Sequence, residues 1–238
     1  MVPSLASLTK LIDHSLLHPQ LTDQELKAGC QLARQYDVAS VCIKPYSVVL
    51  ARDILANSKV KVGTVVGFPH GSNHLDIKIR EAEKALADGA EELDMVINVG
   101  KTLSADWTYL SDEIKSINEI TVTKNGILKV IFENDFLTDK MFKLKLCAIC
   151  NQHAVAYVKT STGYGFTKQQ NGFYNYAGAT DTDIILMRQA CIPSIQIKAA
   201  GGIRTLDDLL RVRSLGVSRV GTTSTLSILQ EAKRRGYK

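Results

Sequence analysis

Residues 154–165 read Ala-Val-Ala-Tyr-Val-Lys-Thr-Ser-Thr-Gly-Tyr-Gly, an apolar and aromatic run that ends on Lys159 and gives way to small residues. The run has the length and composition of a buried β-strand, and the small residues after it read as a turn. A lysine closing such a strand can extend its four-carbon stem and keep its ammonium group in water, which is the plain structural explanation. What Lys159 does depends on what the rest of the chain gathers around it.

The pattern of strand and turn recurs. Strands are expected near 10–13, 39–43, 61–67, 91–98, 127–133, 154–160, 194–199 and 218–221, with helices near 22–36, 47–57, 74–88, 105–120, 138–151, 179–190, 206–214 and 224–234. Thr22-Asp23 opens one helix, and Gly89 and Gly216 close two others. Strands alternating with helices imply a parallel sheet. Eight units of about thirty residues each have the size of minimal βαβ repeats. That number and the chain length favour an α/β fold closed as a (β/α)8 barrel, a single domain over residues 1–238. An open doubly wound sheet is the alternative, but Gly163-Tyr164-Gly165 is only a fragment of its dinucleotide fingerprint and no P-loop is present. Residues 162–178 form the longest stretch without helical pattern, too long for a simple connection.

Composition narrows the function classes. Of 238 residues, 45% are hydrophobic and 22% charged, as in an ordinary globular protein. The net charge of +5 is spread along the chain; Lys233-Arg234-Arg235 is its densest cluster, too short to argue for nucleic acid. Five cysteines (Cys30, Cys42, Cys147, Cys150, Cys191) form no disulfide framework, and Cys147 and Cys150 read as half-buried helix cysteines rather than a redox or metal pair. No signal peptide or membrane-length apolar run is seen, so a soluble, cytoplasmic protein is expected. His70 and His74 lack a carboxylate at ligand spacing, and nothing in the residues requires a metal or other cofactor.

Side chains alternate faces along a strand, and barrel strands must turn their apolar face outward to the helices. Leu93, Met95 and Ile97 then oppose Glu92, Asp94 and Asn98; Leu128, Val130 and Phe132 oppose Lys129 and Glu133; Val41 and Ile43 oppose Cys42 and Lys44; Ile195 and Ile197 oppose Gln196 and Lys198. Asp94, Lys129, Lys159 and Lys198, with either Glu92 or Glu133, therefore point toward one interior. Buried charges are costly unless paired. Several on separate strands suggest an active site. Two lysines in one pocket disfavour each other's charge, so at least one should give up its proton and become a nucleophile toward carbonyls. Asp94 would serve as counter-charge and proton carrier. A purely structural ion network is the competing explanation.

Two glycine-bearing loops follow the last two strands: Ala199-Ala200-Gly201-Gly202-Ile203-Arg204 and Arg219-Val220-Gly221-Thr222-Thr223-Ser224. Glycines let backbone amides approach an anion, and these are the barrel loops that often hold phosphate. Turn glycines with an N-cap serine are the competing explanation.

Nine segments, in order, carry a resemblance: LIDHSLL (11–17), VCIKPY (41–46), VGFPHG (66–71), GAEELDMVIN (89–98), KVIFE (129–133), VKTSTGYG (158–165), GATDTDIILM (178–187), IKAAGGIRT (197–205) and RVGTTS (219–224). Together they resemble the deoxyribose-phosphate aldolase family over nearly the whole chain. The resemblance implies a (β/α)8 barrel that cleaves 2-deoxy-D-ribose 5-phosphate to glyceraldehyde 3-phosphate and acetaldehyde without a metal. It implies Lys159 as the Schiff-base lysine, Lys198 as the second lysine, and Asp94 as the acid/base group working through water. Asp13, Cys42 and Thr160 are implied near the substrate, and Gly163, Gly201, Gly202, Arg204, Gly221, Thr223 and Ser224 on the phosphate side. The implied partners are a phosphorylated sugar and aldehydes, with a homodimer as the assembly and neither nucleic acid nor membrane. Tyr164 stands where some members carry a basic residue, residues 166–176 are expected to act as a lid, and Tyr237 to reach the site. Another Schiff-base sugar-phosphate aldolase or transaldolase-like barrel, or a non-catalytic sugar-phosphate-binding barrel, are the alternatives.

Overall fold

The computed structural model describes residues 3–238. Eight parallel strands close into a barrel: β1 (Ile12–Leu16), β2 (Ser40–Ile43), β3 (Lys61–Val66), β4 (Glu92–Val96), β5 (Ile127–Ile131) and β6 (Tyr157–Lys159), then, after a small antiparallel hairpin of β7 (Thr167–Lys168) and β8 (Tyr174–Asn175), β9 (Gln196–Ala200) and β10 (Val217–Thr222), which returns to β1. All eight expected strands are present, within a few residues of their expected ends.

Helices α1 (Leu5–Thr9), α2 (Asp23–Tyr36), α3 (Val48–Ile54), α4 (Leu75–Asp88), α5 (Val99–Leu103), α6 (Trp107–Thr123), α7 (Lys140–Gln152), α8 (Asp181–Ala190), α9 (Leu206–Ser214) and α10 (Thr225–Arg234) cover the outside. Their ends have local causes. Thr22 caps α2 in a reciprocal box with Glu25, and Thr205 caps α9 in another with Asp208. Gly89, at φ 108°, ends α4 in the left-handed conformation. The one-turn helices α1 and α5 were not expected, since five residues are too few to show a period.

Parity holds along the strands. Val41, Ile43, Leu93, Met95, Leu128, Val130, Val158 and Ile197 belong to the large apolar core between sheet and helices. Inside the barrel, near its mouth, Leu17, Cys42, Val65 and Phe68 make a second, small apolar patch. Register then fixes which inward groups meet: Asp94 lies beside Lys129, and Lys159 beside both Ile131 and Lys198.

Four expectations are corrected. Lys44 does not enter the barrel; it lies just past β2 and donates to the carbonyls of His18, Pro19 and Leu21. Cys147 and Cys150 are fully buried rather than half-buried, and no group of three or more His, Cys, Asp or Glu poised for a metal occurs among the described residues. Residues 166–176, read from the sequence as a long loop, contain a hairpin, since β7 and β8 pair across them. Tyr237 lies at the wrong end of the barrel: it follows α10, packs against the main core, and is tied in place where the carbonyl of Lys238 accepts from the amide of Leu5, ahead of β1.

Candidate active site

A cleft of about 520 Å³ opens at the C-terminal mouth, the end where barrel enzymes carry their chemistry. Lys159 and Lys198 stand on its floor, Cys42 and Leu17 on one wall, Tyr164, Phe166 and Tyr176 on another, and Gly163, Gly201, Gly202, Arg204, Gly221 and Thr223 on the loop side. Nine residues singled out from the sequence thus meet in one place. Four do not line it. Asp94 and Asp13 lie beneath the floor. Thr160 is withdrawn, its hydroxyl donating to the carbonyl of Ala200 and accepting from that residue's amide, which ties β6 to β9. Ser224 is turned back, its amide donating to the Thr222 hydroxyl.

Each face of the cleft has a local cause. Gly201 and Gly202 hold φ of 88° and 84°, a region that side chains disfavour, so the loop after β9 can bend back under the mouth. Gly178 packs against it so closely that a Cβ there would lie 2.5 Å from the carbonyl oxygen of Gly201. The hairpin supplies the aromatic wall, where the rings of Phe166 and Tyr176 meet edge-on at 5.2 Å. The Tyr176 hydroxyl lies 3.4 Å from the Arg204 guanidinium. Phe68 and Tyr164 make a similar pair at 5.6 Å.

Under the floor, three carboxylates and four cations share one network. Asp94 accepts from Lys129 at 2.9 Å through Oδ1, and from both Lys159 and Lys198 at 2.7 Å through Oδ2. The two floor ammonium groups are therefore within twice that distance of each other. Lys198 also contacts Asp13 at 2.6 Å. Lys129 reaches Glu92 at 2.6 Å and Asp13 at 3.3 Å. Arg219 bridges Asp13 and Glu92 from below, at 2.9 Å from the latter. Of the two glutamates the sequence left open, Glu92 is the interior one. Glu133 sits at the end of β5, where the amide and hydroxyl of Thr162 donate to it.

Protonation follows from these contacts. Burial pushes the Lys159 amine below its ordinary range; Asp94 opposes this, and the Lys198 charge adds to it. Lys198 is just as buried, yet Asp13 and Asp94 together hold it above its ordinary value. Asp94 stays well below the usual carboxylate range in spite of burial, because Lys129, Lys159 and Lys198 all face it. Burial and the Asp94 charge push the Cys42 thiol up to about 11, so it faces the cleft neutral. Lys159 is thus the group most readily freed of its proton at the cleft surface, and an unprotonated amine there can attack a carbonyl.

Arg219 was missed as a partner of the site, and Glu92 was left open against Glu133. Glu92 was half visible in the alternation of β4. Arg219 was hidden because the register between β9 and β10 shifts between Val217 and Arg219, so simple parity fails there.

A closed parallel barrel of eight strands with two lysine amines on the floor of its mouth cleft places the chain among the (β/α)8-barrel proteins. A family model described as DeoC/LacD family aldolase matches residues 7–222. A deoxyribose-phosphate aldolase from Rhodopirellula baltica is 47% identical over 227 residues, covering 95% of this chain and 90% of its own length. One from Caldicellulosiruptor saccharolyticus is 42% identical, covering 94% and 97%. The solved structure of a tetrameric deoxyribose phosphate aldolase from Aeropyrum pernix superposes with a TM-score of 0.85 at 26% identity, covering 97% of this chain and 92% of that one. The chain belongs to the DeoC/LacD aldolase family and is a carbon–carbon lyase.

Proposed function

We propose that this aldolase reversibly cleaves 2-deoxy-D-ribose 5-phosphate to D-glyceraldehyde 3-phosphate and acetaldehyde through a Schiff base on Lys159. The observation that carries this reading is the contrast on the cleft floor: Lys159 is pushed toward the neutral amine while its neighbour Lys198 is held as the ammonium. The names of the relatives support the substrate. So does the apolar wall of Leu17 and Cys42 beside Lys159, which suits a substrate with a methylene at C2.

The neutral Lys159 amine adds to the C1 aldehyde of the open-chain sugar, and loss of water leaves an iminium. Deprotonation of the C3 hydroxyl breaks the C2–C3 bond; its electrons move into the iminium, giving an enamine and releasing glyceraldehyde 3-phosphate. A proton added to the enamine carbon and hydrolysis of the resulting iminium release acetaldehyde and restore Lys159. Asp94 has no surface in the cleft; Lys159 and Lys198 both touch it from the floor, and it serves the reaction as their shared counter-charge. The glycine loops and Arg204 hold the phosphate. Holding C1 at Lys159 this way is worth up to about 7–11 kcal/mol in favourable cases.

Reduction with borohydride in the presence of deoxyribose 5-phosphate or acetaldehyde tests the covalent step. A two-carbon or sugar adduct mapped to Lys159 is expected. An adduct on Lys198 alone reverses the two roles, and no adduct removes the mechanism. Activity on sugars bearing a C2 hydroxyl in place of the deoxy sugar would favour another Schiff-base aldolase.

For assembly we retain a homo-oligomer, the homodimer being its smallest form; light scattering checks it. No helix among the described residues is long and apolar enough to cross a membrane. Five buried, unpaired cysteines suit a reducing, cytoplasmic setting.

A further inference from the structure

Resting on the Schiff-base reading above, we propose that Glu92, Lys129 and Arg219, the lower tier of the buried network, are positioning residues that set the proton occupancy of Lys159 by charge count. None of the three lines the cleft. Their contacts nonetheless decide where the network's excess charge resides.

Asp13, Glu92 and Asp94 are faced by Lys129, Lys159, Lys198 and Arg219, so full ionisation leaves one positive charge over. Removing one proton balances the set. Lys129 touches all three carboxylates; Lys198 and Arg219 touch two each; Lys159 touches Asp94 alone. The least compensated cation gives up its proton most cheaply. That cation is the one at the cleft. Glu92 and Arg219 pair below while Lys129 occupies Asp94 Oδ1, so only Oδ2 remains for Lys159 to share with Lys198. When Lys159 becomes an iminium the excess charge returns to it, which strengthens its pull on electrons.

Other groups also face Lys159. Cys42 on β2 is a neutral thiol. Glu133 at the end of β5 is pushed up by burial and engaged by Thr162. Both are common to every variant below, so neither alters the comparison.

The test is the acid limb of the kcat/KM profile for deoxyribose 5-phosphate, read beside the pH dependence of borohydride trapping by acetaldehyde at Lys159. Lys129→Met leaves three cations against three carboxylates, so Lys159 should keep its proton to higher pH. The limb should move up by about one unit, a tenfold loss at a pH on that limb that is regained in base. Arg219→Gln, at the partly accessible edge of the network, should move it the same way. Glu92→Gln leaves four cations against two carboxylates and should move it down. The double variant Lys129→Met/Glu92→Gln, with three cations against two carboxylates, restores the excess of one and should return the limb toward wild type. That return also guards against a single variant that folds poorly. Limbs that stay fixed, or that move the same way for Lys129→Met and Glu92→Gln, overturn the proposal. Wild-type protein with neither turnover nor a Lys159 adduct would instead sink the Schiff-base reading beneath it.

Discussion

Two lysines with almost no exposed surface lie on opposite sides of the barrel wall and behave oppositely. Lys129, inside, is held well above its ordinary pKa because Asp13, Asp94 and Glu92 together outweigh its burial. Lys78, outside between α4 and α6, is pushed below its ordinary value, because burial outweighs its close partner Glu113 at 2.7 Å and the more distant Glu81. Glu113 is correspondingly pushed up. Both lysines are hydrogen-bonded, Lys129 to Glu92 and Asp94, Lys78 to Glu113 and the carbonyl of Val96. The difference is the number of counter-charges, and Lys159 falls on the Lys78 side of it. A buried pair outside the barrel is structure; the same imbalance placed on the floor of a cleft is a nucleophile.

The largest expected effect breaks the comparison at its functional end. Lys159→Met should lower turnover of deoxyribose 5-phosphate by on the order of 10⁴-fold or more, as loss of a covalent nucleophile does elsewhere. Because it also removes the excess cation, its melting temperature should equal or exceed that of wild type. Substantial residual turnover would end the Lys159 assignment, and a large fall in melting temperature would end the charge count. Lys78→Met should do the reverse. Stranding Glu113 inside should cost about 3–5 kcal/mol of stability, with kcat/KM unchanged and most of the loss recovered in Lys78→Met/Glu113→Leu. Denaturant melts of the three proteins decide it.

Next in size is Lys198→Met. The Lys198 charge helps push Lys159 down, so its removal should raise the Lys159 pKa and leave more of the amine protonated at neutral pH. A loss of about 10²-fold is expected, in the range of proton-transfer effects, shrinking as the pH is raised. A loss that does not shrink in base would separate Lys198 from the pKa and leave it a role in proton delivery.

How much of this was legible beforehand follows the same division. Period and parity suffice where one face of a strand is apolar, so the eight strands, the inward Asp94, Lys129, Lys159 and Lys198, and the glycine loops could all be read from the chain. Asp13 came only from the resemblance, because the first strand was placed too early, at 10–13, whereas β1 runs Ile12–Leu16. Arg219 escaped because a bulge breaks the alternation that would have aimed it inward. The hairpin of β7 and β8 escaped because two-residue strands leave no period. Nothing local marks Lys78 as buried: its partner lies on another helix, 35 residues away.

His14 extends the comparison to a titratable group with no counter-charge. It sits on the outward face of β1, buried, with Nδ1 2.9 Å from the Thr225 hydroxyl. Burial alone pushes its pKa down to about 4. The folded protein therefore holds a neutral imidazole between pH 4 and 6.5 while the unfolded chain takes up a proton, so stability falls as the pH drops through that window. The contribution is complete above pH 6.5 and should be about 2 kcal/mol smaller at pH 5. Comparing chemical denaturation at pH 7 and pH 5 for wild type and His14→Gln isolates it, since the carboxylates common to both proteins cancel. If the two lose stability equally over that interval, His14 is protonated in the fold and burial without a counter-charge does not suffice to neutralise it. If only wild type shows the excess loss, the rule drawn from Lys129 and Lys78 holds at its limiting case, where a buried base with no compensating charge gives up its proton.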